Sequence, residues 1–486
     1  MDGVWQVAHI RAAERQVLAG LPAGALMARA ARAVAVEAVS MLGFGYGARV
    51  LLLVGPGDNG ADALYAGAEL GRRGVAVRAV LADPHRVHAA ALAAFRGAGG
   101  RPVPLSALGS PDSPDSPAGV AAQTDLIVDG LLGIGARGPV REEFLPLVRW
   151  SLASPVPVLA VDLPSGVDPD TGTVSGPAVR ATVTVCMGAL KAGLLVGQGR
   201  LHTGRLRLVE LGLGPQLPEP QLLRLDRDDI VLRTAGPDDD KYTRGVVGVA
   251  AGSQAYPGAA QLCVGSARLG GVGAVRYAGH AASEVVRRWP EVLVTDDVGN
   301  AGRVQAWVIG PGLGDTADAV EALRQVLAAD VPVAVDADGL NLLARHRDLL
   351  ARRAQRSVPT VLTPHDREFE RLFGAVGPDR IGAARRAARE AGATVLLKGF
   401  ATIVAEPSGR VFVNPLGAPA LATAGSGDVL AGLIGSLLAT GTEPGLAAAG
   451  AAYLHAAAAQ RAAAAGPVVA GDLLVALREE IGPPVR

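Results

Sequence analysis

An aspartate at the start of a glycine-rich helical pattern is the feature of this sequence best placed to do chemistry. Gly-Ser-Gly-Asp at 425–428 leads directly into the apolar run 429–438. The first N–H groups of a helix lack intrahelical partners and favour a phosphate or a developing anion. Asp428 could also simply cap that helix. Because the buried-strand patterns 401–405 and 410–413 precede the run, we interpret Asp428 as a base acting on a substrate hydroxyl beside an anion hole of backbone amides.

Lysine usage singles out a second set of positions. Most basic residues of the chain are arginines, and the only lysines are Lys191, Lys241 and Lys398. A lysine retained among arginines indicates a place that needs a compact point charge rather than a planar fork. Lys398 opens the segment Lys-Gly-Phe-Ala-Thr at 398–402, and we expect this segment to lie near a nucleotide.

Polar residues follow three buried-strand patterns in the first half of the chain. The pattern 49–54 runs into a glycine turn that contains Asn59, and two later patterns end at Asp129 and at Asp162, which is soon followed by Ser165. The carboxyl ends of parallel strands meet at one edge of a sheet, where α/β folds bind ligands. Oxygen-bearing side chains gathered there could hold a cation. Asp129 and Asp162 could equally cap the turns that follow them, and the spacing leaves both interpretations open.

Alternating strand and helix patterns in the second half predict a mostly parallel sheet with helices on both faces. Gly-Pro-Gly at 310–312, His365 and Asp428 each follow a strand or loop pattern and are expected on one rim. An isolated His365 after a proline would cap a helix or face solvent. Beside the other motifs, we interpret it as a substrate contact.

Length and composition exclude several classes of protein. The chain has 486 residues, and its Lys+Arg and Asp+Glu counts are both 46. Two or three domains are expected, and the balanced charge favours neither nucleic acid nor a charged membrane surface. A hydrophobic fraction of 49% with only 3% aromatics is typical of a soluble, Ala-rich α/β protein. The first residues lack the pattern of a signal peptide and the uncharged stretches are broken by Gly, Ser and Thr, so we expect a cytoplasmic protein.

Three further features describe the architecture. The Pro/Gly-rich stretch 211–220 breaks both periodicities and predicts a boundary between domains 1–215 and 222–486. The Ser/Pro/Asp-rich stretch 109–117 predicts a solvated loop. Cys186 and Cys263 lie in apolar runs without metal-ligand spacing, so both are predicted to be buried free thiols.

Four motifs cover most of the first domain: GPGDNGAD at 55–62, VDGLLGIG at 128–135, DLPSGVD at 162–168 and GALKAGL at 188–194. Together they resemble the NAD(P)H-hydrate epimerase family, which implies a Rossmann-like α/β/α sandwich that binds the hydrated nicotinamide dinucleotide. The resemblance assigns substrate contacts to Asp58, Asn59, Gly60, Ala61, Asp62, Gly133, Ile134, Gly135, Ala136, Arg137, Gly138, Pro139 and Asp162. It assigns a potassium ion to Asn59, Asp129 and Ser165, and it places Lys191 near the same pocket.

The first motif departs from the family pattern. The family usually reads Asn-Asn-Gly-Gly-Asp-Gly where this chain reads Asp-Asn-Gly-Ala-Asp-Ala at 58–63. Asp58 adds a negative charge beside an anionic ligand, and Ala61 and Ala63 add Cβ atoms where the backbone must approach it. We expect epimerase activity to be retained, if weakened. A degenerate, scaffold-like first domain is the alternative.

A second set of motifs spans about residues 225–480: YPGAA at 256–260, GPGLG at 310–314, DADGLN at 336–341, TPH at 363–365, KGFAT at 398–402, NP at 414–415 and GSGD at 425–428. They resemble the ribokinase-like ADP/ATP-dependent NAD(P)H-hydrate dehydratases, which implies a ribokinase-like α/β domain with Asp428 as the catalytic base. The resemblance assigns substrate contacts to Ala259, Gly312, His365 and Asp428. It assigns contacts with the AMP moiety to Lys398, Gly399, Phe400, Ala401, Thr402 and Gly427.

Both resemblances together imply a bifunctional repair enzyme. The first domain would interconvert R and S NADHX or NADPHX, and the second would dehydrate the S epimer to NAD(P)H at the expense of ADP. Phosphorylation converts the ring hydroxyl, a poor leaving group, into a good one. ADP as donor and Mg²⁺ at its phosphates are implied by the family, as is a homo-oligomer, a tetramer or octamer. A ribokinase-like small-molecule kinase is the alternative for the second domain.

Overall fold

The computed structural model describes residues 1–105 and 123–482 and divides the chain into two compact units. One unit is Gly3–Gln221, and the other is Leu222–Arg486 together with Met1–Asp2. The loop predicted at 109–117 lies outside the described residues. Within the described ranges, every helix is too short or too polar to span a lipid bilayer.

The unit Gly3–Gln221 is built on a sheet whose strands all run parallel. In spatial order the strands are Arg101–Val103, Ala76–Leu81, Arg49–Val54, Leu126–Gly130, Val158–Val161, Val183–Met187 and Arg205–Val209. Numbered along the chain, this order is 3-2-1-4-5-6-7. The strands that follow Arg49–Val54 are therefore added first on one side of it and then, from Leu126–Gly130 onward, on the other side. Rossmann folds bind their ligands at the crevice where the strand order reverses in this way. A further short parallel pair joins Asp2–Trp5 to Leu190–Lys191.

Helices cover both faces of this sheet. The α-helices are Val7–Leu18, Ala25–Leu42, Asp58–Arg72, Ala89–Gly97, Leu145–Ala153 and Gly197–Thr203, with short 3-10 helices at Glu142–Phe144, Ala192–Leu194 and Gly214–Gln216. Side chains of a strand alternate between faces. Val50 and Leu52 accordingly pack in one hydrophobic core, and Leu51 and Leu53 pack in another beside Phe144. The predicted Rossmann-like α/β/α sandwich is confirmed.

The unit that begins at Leu222 holds a second, larger sheet. Its strands, in spatial order, are Leu293–Thr295, Ala274–Ala278, Val246–Ala250, Ala306–Ile309, Val333–Val335, Thr360–Leu362, Thr394–Leu397, Thr402–Ala405, Val411–Asn414 and Leu222–Arg224. Thr402–Ala405 is antiparallel to both of its neighbours, and the other pairs are parallel. The prediction of a mostly parallel α/β domain is confirmed.

The helices of this unit alternate with its strands. They are Pro257–Ala267, Ala282–Arg288, Ala317–Ala328, Asp338–Arg345, Arg347–Gln355, Asp366–Phe373, Arg380–Ala391, Ser426–Ala439, Pro444–Ala463 and Ala470–Ile481, with 3-10 turns at Arg227–Asp229 and Pro419–Leu421. Ser426–Ala439 is buried from Val429 onward. Gly432 allows this helix to approach Pro257–Ala267 closely, because a Cβ at Gly432 would lie 2.0 Å from the carbonyl oxygen of Cys263. Cys186 and Cys263 are both free and buried, as predicted.

Candidate active sites

A cavity of about 730 Å³ lies at the point where the strand order of the first unit reverses. Its walls come from the turns after three neighbouring strands and from the first two helices. Most of the predicted substrate contacts line it: Asp58, Asn59, Asp62, Gly133, Ile134, Gly135, Ala136, Arg137, Pro139 and Asp162. The structure thus brings together three motifs that are far apart in sequence.

Three of the predicted contacts do not line this cavity: Gly60, Ala61 and Gly138. Residues 58 and 62 are one helical turn apart and share a face with the adjacent Asn59, whereas Gly60 and Ala61 turn away from the cavity. Gly60 packs on the turn that precedes the helix, since a Cβ there would lie 2.0 Å from the carbonyl oxygen of Gly55. Ala61 and Ala63 are fully buried in the hydrophobic core. The expected obstruction of the ligand by these two Cβ atoms is therefore absent.

The three predicted potassium ligands form one buried cluster. Asp129 accepts hydrogen bonds from the Ser165 hydroxyl at 2.7 Å and from the Ser165 N–H at 2.8 Å. The Asn59 amide donates to the carbonyl oxygens of Leu132 at 2.8 Å and Val161 at 2.6 Å. Burial raises the pKa of Asp129 to about 6, although hydrogen bonds from Ser165 and Leu131 oppose the rise. No cationic side chain in the described part of the chain pairs with Asp129, so a bound cation fits this buried, oxygen-rich cluster.

Asp162 and Lys191 form a buried ion pair at the cavity. The Lys191 Nζ lies 2.6 Å from Asp162 Oδ1 and also donates to the carbonyl oxygen of Met187 at 2.9 Å. Burial lowers the pKa of Lys191, but the charge of Asp162 more than offsets this, and the pKa is raised. Asp162 has a φ of 66°. A non-glycine residue is rarely held in this left-handed region, and such strain is common at functional sites.

Two charged residues that line the same cavity were not predicted from the sequence. Arg11 and Glu14 come from the helix Val7–Leu18. Burial raises the pKa of Glu14, against the opposing effect of Lys191. An Arg and a Glu three positions apart are usual on any solvated helix face, so only the fold could place them here.

In the second unit, Asp428 lies in the first turn of the helix Ser426–Ala439, as predicted. Gly425 occupies the N-cap position with a φ of 87°. Among the described residues, neither the N–H of Gly427 nor that of Asp428 has a hydrogen-bond partner, whereas the Ser426 N–H reaches the carbonyl oxygen of Thr423 at 3.4 Å. Two free amide donors therefore lie beside the carboxylate, which is the arrangement that an anionic oxygen requires.

Burial and neighbouring charges shift the pKa of the Asp428 carboxyl group. Burial raises the pKa of Asp428 to about 7, with further increases from Asp336 and Asp338 and a decrease from Lys398. The Lys398 Nζ lies 2.5 Å from Asp336 Oδ1. A Cβ on Gly427 would lie 3.5 Å from both partners of that ion pair, so the glycine loop rests directly on it. Asp428 can thus act as a proton acceptor near neutral pH.

His455 lies near Lys398 and was not predicted from the sequence as a residue of this site. Its side chain lies within the helix Pro444–Ala463 and is buried, and its Nε2 has no hydrogen-bond partner among the described residues. Burial, followed by the charge of Lys398, lowers the pKa of His455 to about 4. A lone histidine inside an alanine-rich helix carries no motif, so the sequence could not have singled it out.

The remaining predicted contacts of this unit lie in several places. Gly312 packs against Ala259, since a Cβ on Gly312 would lie 2.6 Å from the Ala259 Cβ. His365 caps the helix Asp366–Phe373, because its Nδ1 accepts the N–H groups of Arg367 at 3.1 Å and Glu368 at 3.2 Å. This is the capping alternative that the sequence had left open, and a substrate contact through the exposed side of the ring stays a prediction.

The segment predicted to contact the nucleotide joins two strands of the sheet. Lys398 directly follows a parallel strand, and Gly399 and Phe400 are exposed at the turn. Ala401 is buried, and Thr402 starts the antiparallel strand. The ring of Phe400 rests on Gly417, where a Cβ would lie 2.1 Å away. Within the described ranges, no group of three or more His, Cys, Asp or Glu side chains is arranged to hold a metal ion.

Comparisons with known proteins match both units. The family profile described as NAD(P)H-hydrate dehydratase matches residues 247–481, and the profile described as YjeF-related protein N-terminus matches residues 23–193. The ADP/ATP-dependent NAD(P)H-hydrate dehydratase of Bacillus subtilis, co-crystallised with ATP/Mg²⁺, aligns with a TM-score of 0.45 and 30% identity over 51% of this chain and 93% of that chain.

Two relatives extend over nearly the whole chain. The bifunctional NAD(P)H-hydrate repair enzyme Nnr of Mycobacterium tuberculosis is 49% identical over 456 residues, which cover 92% of each protein. The Nnr of Mycobacterium leprae is 49% identical over 475 residues, which cover 96% of each protein. By these matches, the chain belongs to the family of bifunctional NAD(P)H-hydrate repair enzymes.

Proposed function

We propose that this chain repairs hydrated nicotinamide dinucleotides. The first unit epimerises R and S NAD(P)HX, and the second dehydrates S-NAD(P)HX to NAD(P)H with ADP as phosphoryl donor. The observation that carries the proposal is Asp428, whose carboxyl group has a pKa of about 7 and lies beside two free backbone amides. The names of the full-length relatives support both activities.

The proposed dehydration proceeds in two steps. Ionised Asp428 takes the proton of the ring hydroxyl, and the hydroxyl oxygen attacks the terminal phosphorus of ADP, releasing AMP. The free N–H groups of Gly427 and Asp428 stabilise the negative charge on the transferred phosphoryl oxygens. Phosphate then leaves the ring carbon as the neighbouring carbon loses a proton, which restores the double bond of NAD(P)H. The Lys398 ammonium, held by Asp336, contributes a fixed positive charge beside this loop.

Bound Mg²⁺ would neutralise the charge of the nucleotide phosphates. Its protein ligands are not assigned, because the described residues contain no group of three acidic or imidazole side chains arranged around one point. Potassium in the first unit would be held by Asn59, Asp129 and Ser165. The support for it is the uncompensated, fully buried Asp129 carboxyl among neutral oxygen and amide groups.

The substrate contacts are proposed from the same two neighbourhoods. In the first unit they are the cavity-lining residues 58, 59, 62, 133–137, 139 and 162. In the second unit they are Ala259, Gly312, His365 and Asp428, with residues 398–402 and Gly427 on the AMP moiety. The cytoplasmic location and the homo-oligomeric assembly stay predictions.

A single incubation tests the proposal. Purified chain is mixed with both epimers of NADHX, ADP and Mg²⁺, and the return of NADH absorbance is followed to its end point. Complete conversion is expected, because epimerisation feeds the R form to the dehydratase. Conversion of the S form alone would mean that the first unit is a scaffold, and no conversion would favour a kinase for another small molecule. Asp428→Asn is expected to abolish NADH recovery, and an Asp428→Asn chain with most of its activity would remove the assigned base.

A further inference from the structure

One carboxyl oxygen at the cavity of the first unit has no partner. Asp62 lines the cavity, and its Oδ1 is buried without a hydrogen bond from any described residue. The whole residue is only 9% exposed. An unpaired buried oxygen is costly in free energy, so native proteins rarely keep one without a functional reason. Its place in a cavity wall indicates that the missing partner is the bound ligand.

The surroundings of Asp62 favour proton exchange. Burial raises its pKa well above the ordinary value, and the charges of Asp162, Asp58 and Glu14 raise it further. Lys191, the buried cation of this region, lies 2.6 Å from Asp162 and not beside Asp62. The charge of Asp162 is therefore compensated by Lys191, whereas Asp62 Oδ1 has no hydrogen-bond partner among the described residues. A carboxylate whose pKa is raised is a stronger base than an ordinary carboxylate.

Epimerisation of the substrate requires one group that accepts the proton of its hydroxyl group. Water adds to the enamine double bond of a dihydronicotinamide at the carbon next to the ring nitrogen, because that carbon carries the positive charge after protonation. The hydroxyl-bearing carbon is thus bonded to nitrogen and oxygen at once. Its configuration is lost when the carbon–nitrogen bond opens, and this opening begins with removal of the hydroxyl proton.

We propose that Asp62 is a catalytic residue of the epimerisation, an inference that rests on the proposed epimerase function of the first unit. Ionised Asp62 takes the hydroxyl proton, the carbon–oxygen double bond forms, and the carbon–nitrogen bond breaks. The electron pair remains on nitrogen, where the conjugated carboxamide delocalises it. The aldehyde turns about its carbon–carbon bond, nitrogen attacks the opposite face, and the oxygen takes the proton back from Asp62. No atom or electron is gained or lost, and one carboxyl group serves both directions.

Asp62→Asn tests this assignment, because it keeps the shape of the side chain and removes its basicity. The full chain is incubated with the purified R epimer without ADP, and the S epimer is measured by chromatography against the uncatalysed rate. We expect the inversion rate of Asp62→Asn to fall by at least about a hundredfold. The matched control is Asp125→Asn, which removes a partly exposed carboxylate paired with Arg49 at the amino end of a strand. The control should invert the R epimer at the wild-type rate.

Two further measurements make the outcome decisive. Dehydration of the S epimer after addition of ADP reports on the second unit and should be equal in all three chains, while thermal unfolding reports any loss of folding. The wild-type inversion rate should rise with pH as Asp62 ionises above the usual range of a carboxyl group, against the background of Glu14, Asp58, Asp162, Arg11 and Lys191 around it. Asp62→Glu should restore part of the rate with a displaced pH profile.

Each result has one meaning. If the wild-type chain does not invert the R epimer, the epimerase function fails and this assignment fails with it. If the wild-type chain inverts it and Asp62→Asn does so equally fast, or the wild-type rate is independent of pH, only the assignment to Asp62 is overturned. Loss of inversion in Asp62→Asn with unchanged unfolding and a pH-dependent wild-type rate supports it.

Discussion

Replacing Asp428 by Asn should remove the dehydratase activity and, at the same time, stabilise the protein at alkaline pH. The pKa of Asp428 is raised from 3.8 to about 7, first by burial and then by Asp336 and Asp338. The folded chain therefore holds a proton that the unfolded chain releases between these two values. The stability that this proton provides is fully present below pH 3.8 and is lost as the pH rises through about 7.

The magnitude follows from the pKa difference. A difference of about three units corresponds to roughly 4 kcal/mol, and partial solvent exposure reduces it, so a gain of about 1–3 kcal/mol is expected above pH 7. Because Asn cannot ionise, the Asp428→Asn chain should not lose this stability as the pH rises. Urea unfolding at about pH 5 and about pH 8 measures the difference. The gain of Asp428→Asn over wild type should be larger at the higher pH; an equal gain at both values, or none, would refute the assigned environment of the carboxyl group.

Three further predictions concern the buried charges. Lys398→Met leaves Asp336 without its cation, so the KM for ADP should rise at least about tenfold, and the pH midpoint of dehydration should move upward because Lys398 lowers the pKa of Asp428; steady-state kinetics across pH measures both. His455, with a pKa lowered from 6.5 to about 4, provides stability that is present above pH 6.5 and lost as the pH falls through about 4; a loss on the order of 3 kcal/mol should be visible in urea unfolding of the wild-type chain and smaller in His455→Gln. Lys191→Met leaves Asp162 buried and unpaired and should cost about 3–5 kcal/mol, whereas Lys241→Met, at an exposed position, should cost less than about 1 kcal/mol in the same measurement.

The architecture was predictable from the sequence because its signals are local. Apolar runs such as Arg49–Val54 indicate strands buried on both faces, and glycine turns mark their ends. The α/β class with mostly parallel sheets follows from strands alternating with helices, whereas the Rossmann-like and ribokinase-like folds were implied by the family resemblances. The antiparallel strand Thr402–Ala405 was not predicted, since its apolar pattern is the same as that of its parallel neighbours.

The detail of the sites was harder to predict, because it depends on which face of an element points inward. The motif at 58–62 identified the correct helix start, yet Gly60 and Ala61 pack into the protein while Asp58 and Asp62 line the cavity. His365 matched a substrate-contact motif, and the structure shows it capping its own helix. Helical phase decides which residues of 58–62 face the cavity, and a local hydrogen bond explains the capping by His365, whose substrate contact stays a prediction; neither can be read from residue type alone.

The positions of the lysines are the sequence feature that best indicated the charged residues of the two sites. Two of the three lysines, Lys191 and Lys398, form ion pairs with the buried aspartates Asp162 and Asp336, whereas Lys241 is exposed. In each unit the paired carboxylate is neutralised, and a second carboxyl nearby, Asp62 or Asp428, is left with a raised pKa. A compact ammonium group suits this arrangement, because it compensates the charge of one carboxylate in a confined space. The planar fork of an arginine would also reach the second carboxyl group. Both units thus place a lysine-paired carboxylate near a second carboxyl whose pKa is raised mainly by burial, and substitution of Lys398, which lowers the pKa of Asp428, should affect the catalytic pH range as well as stability.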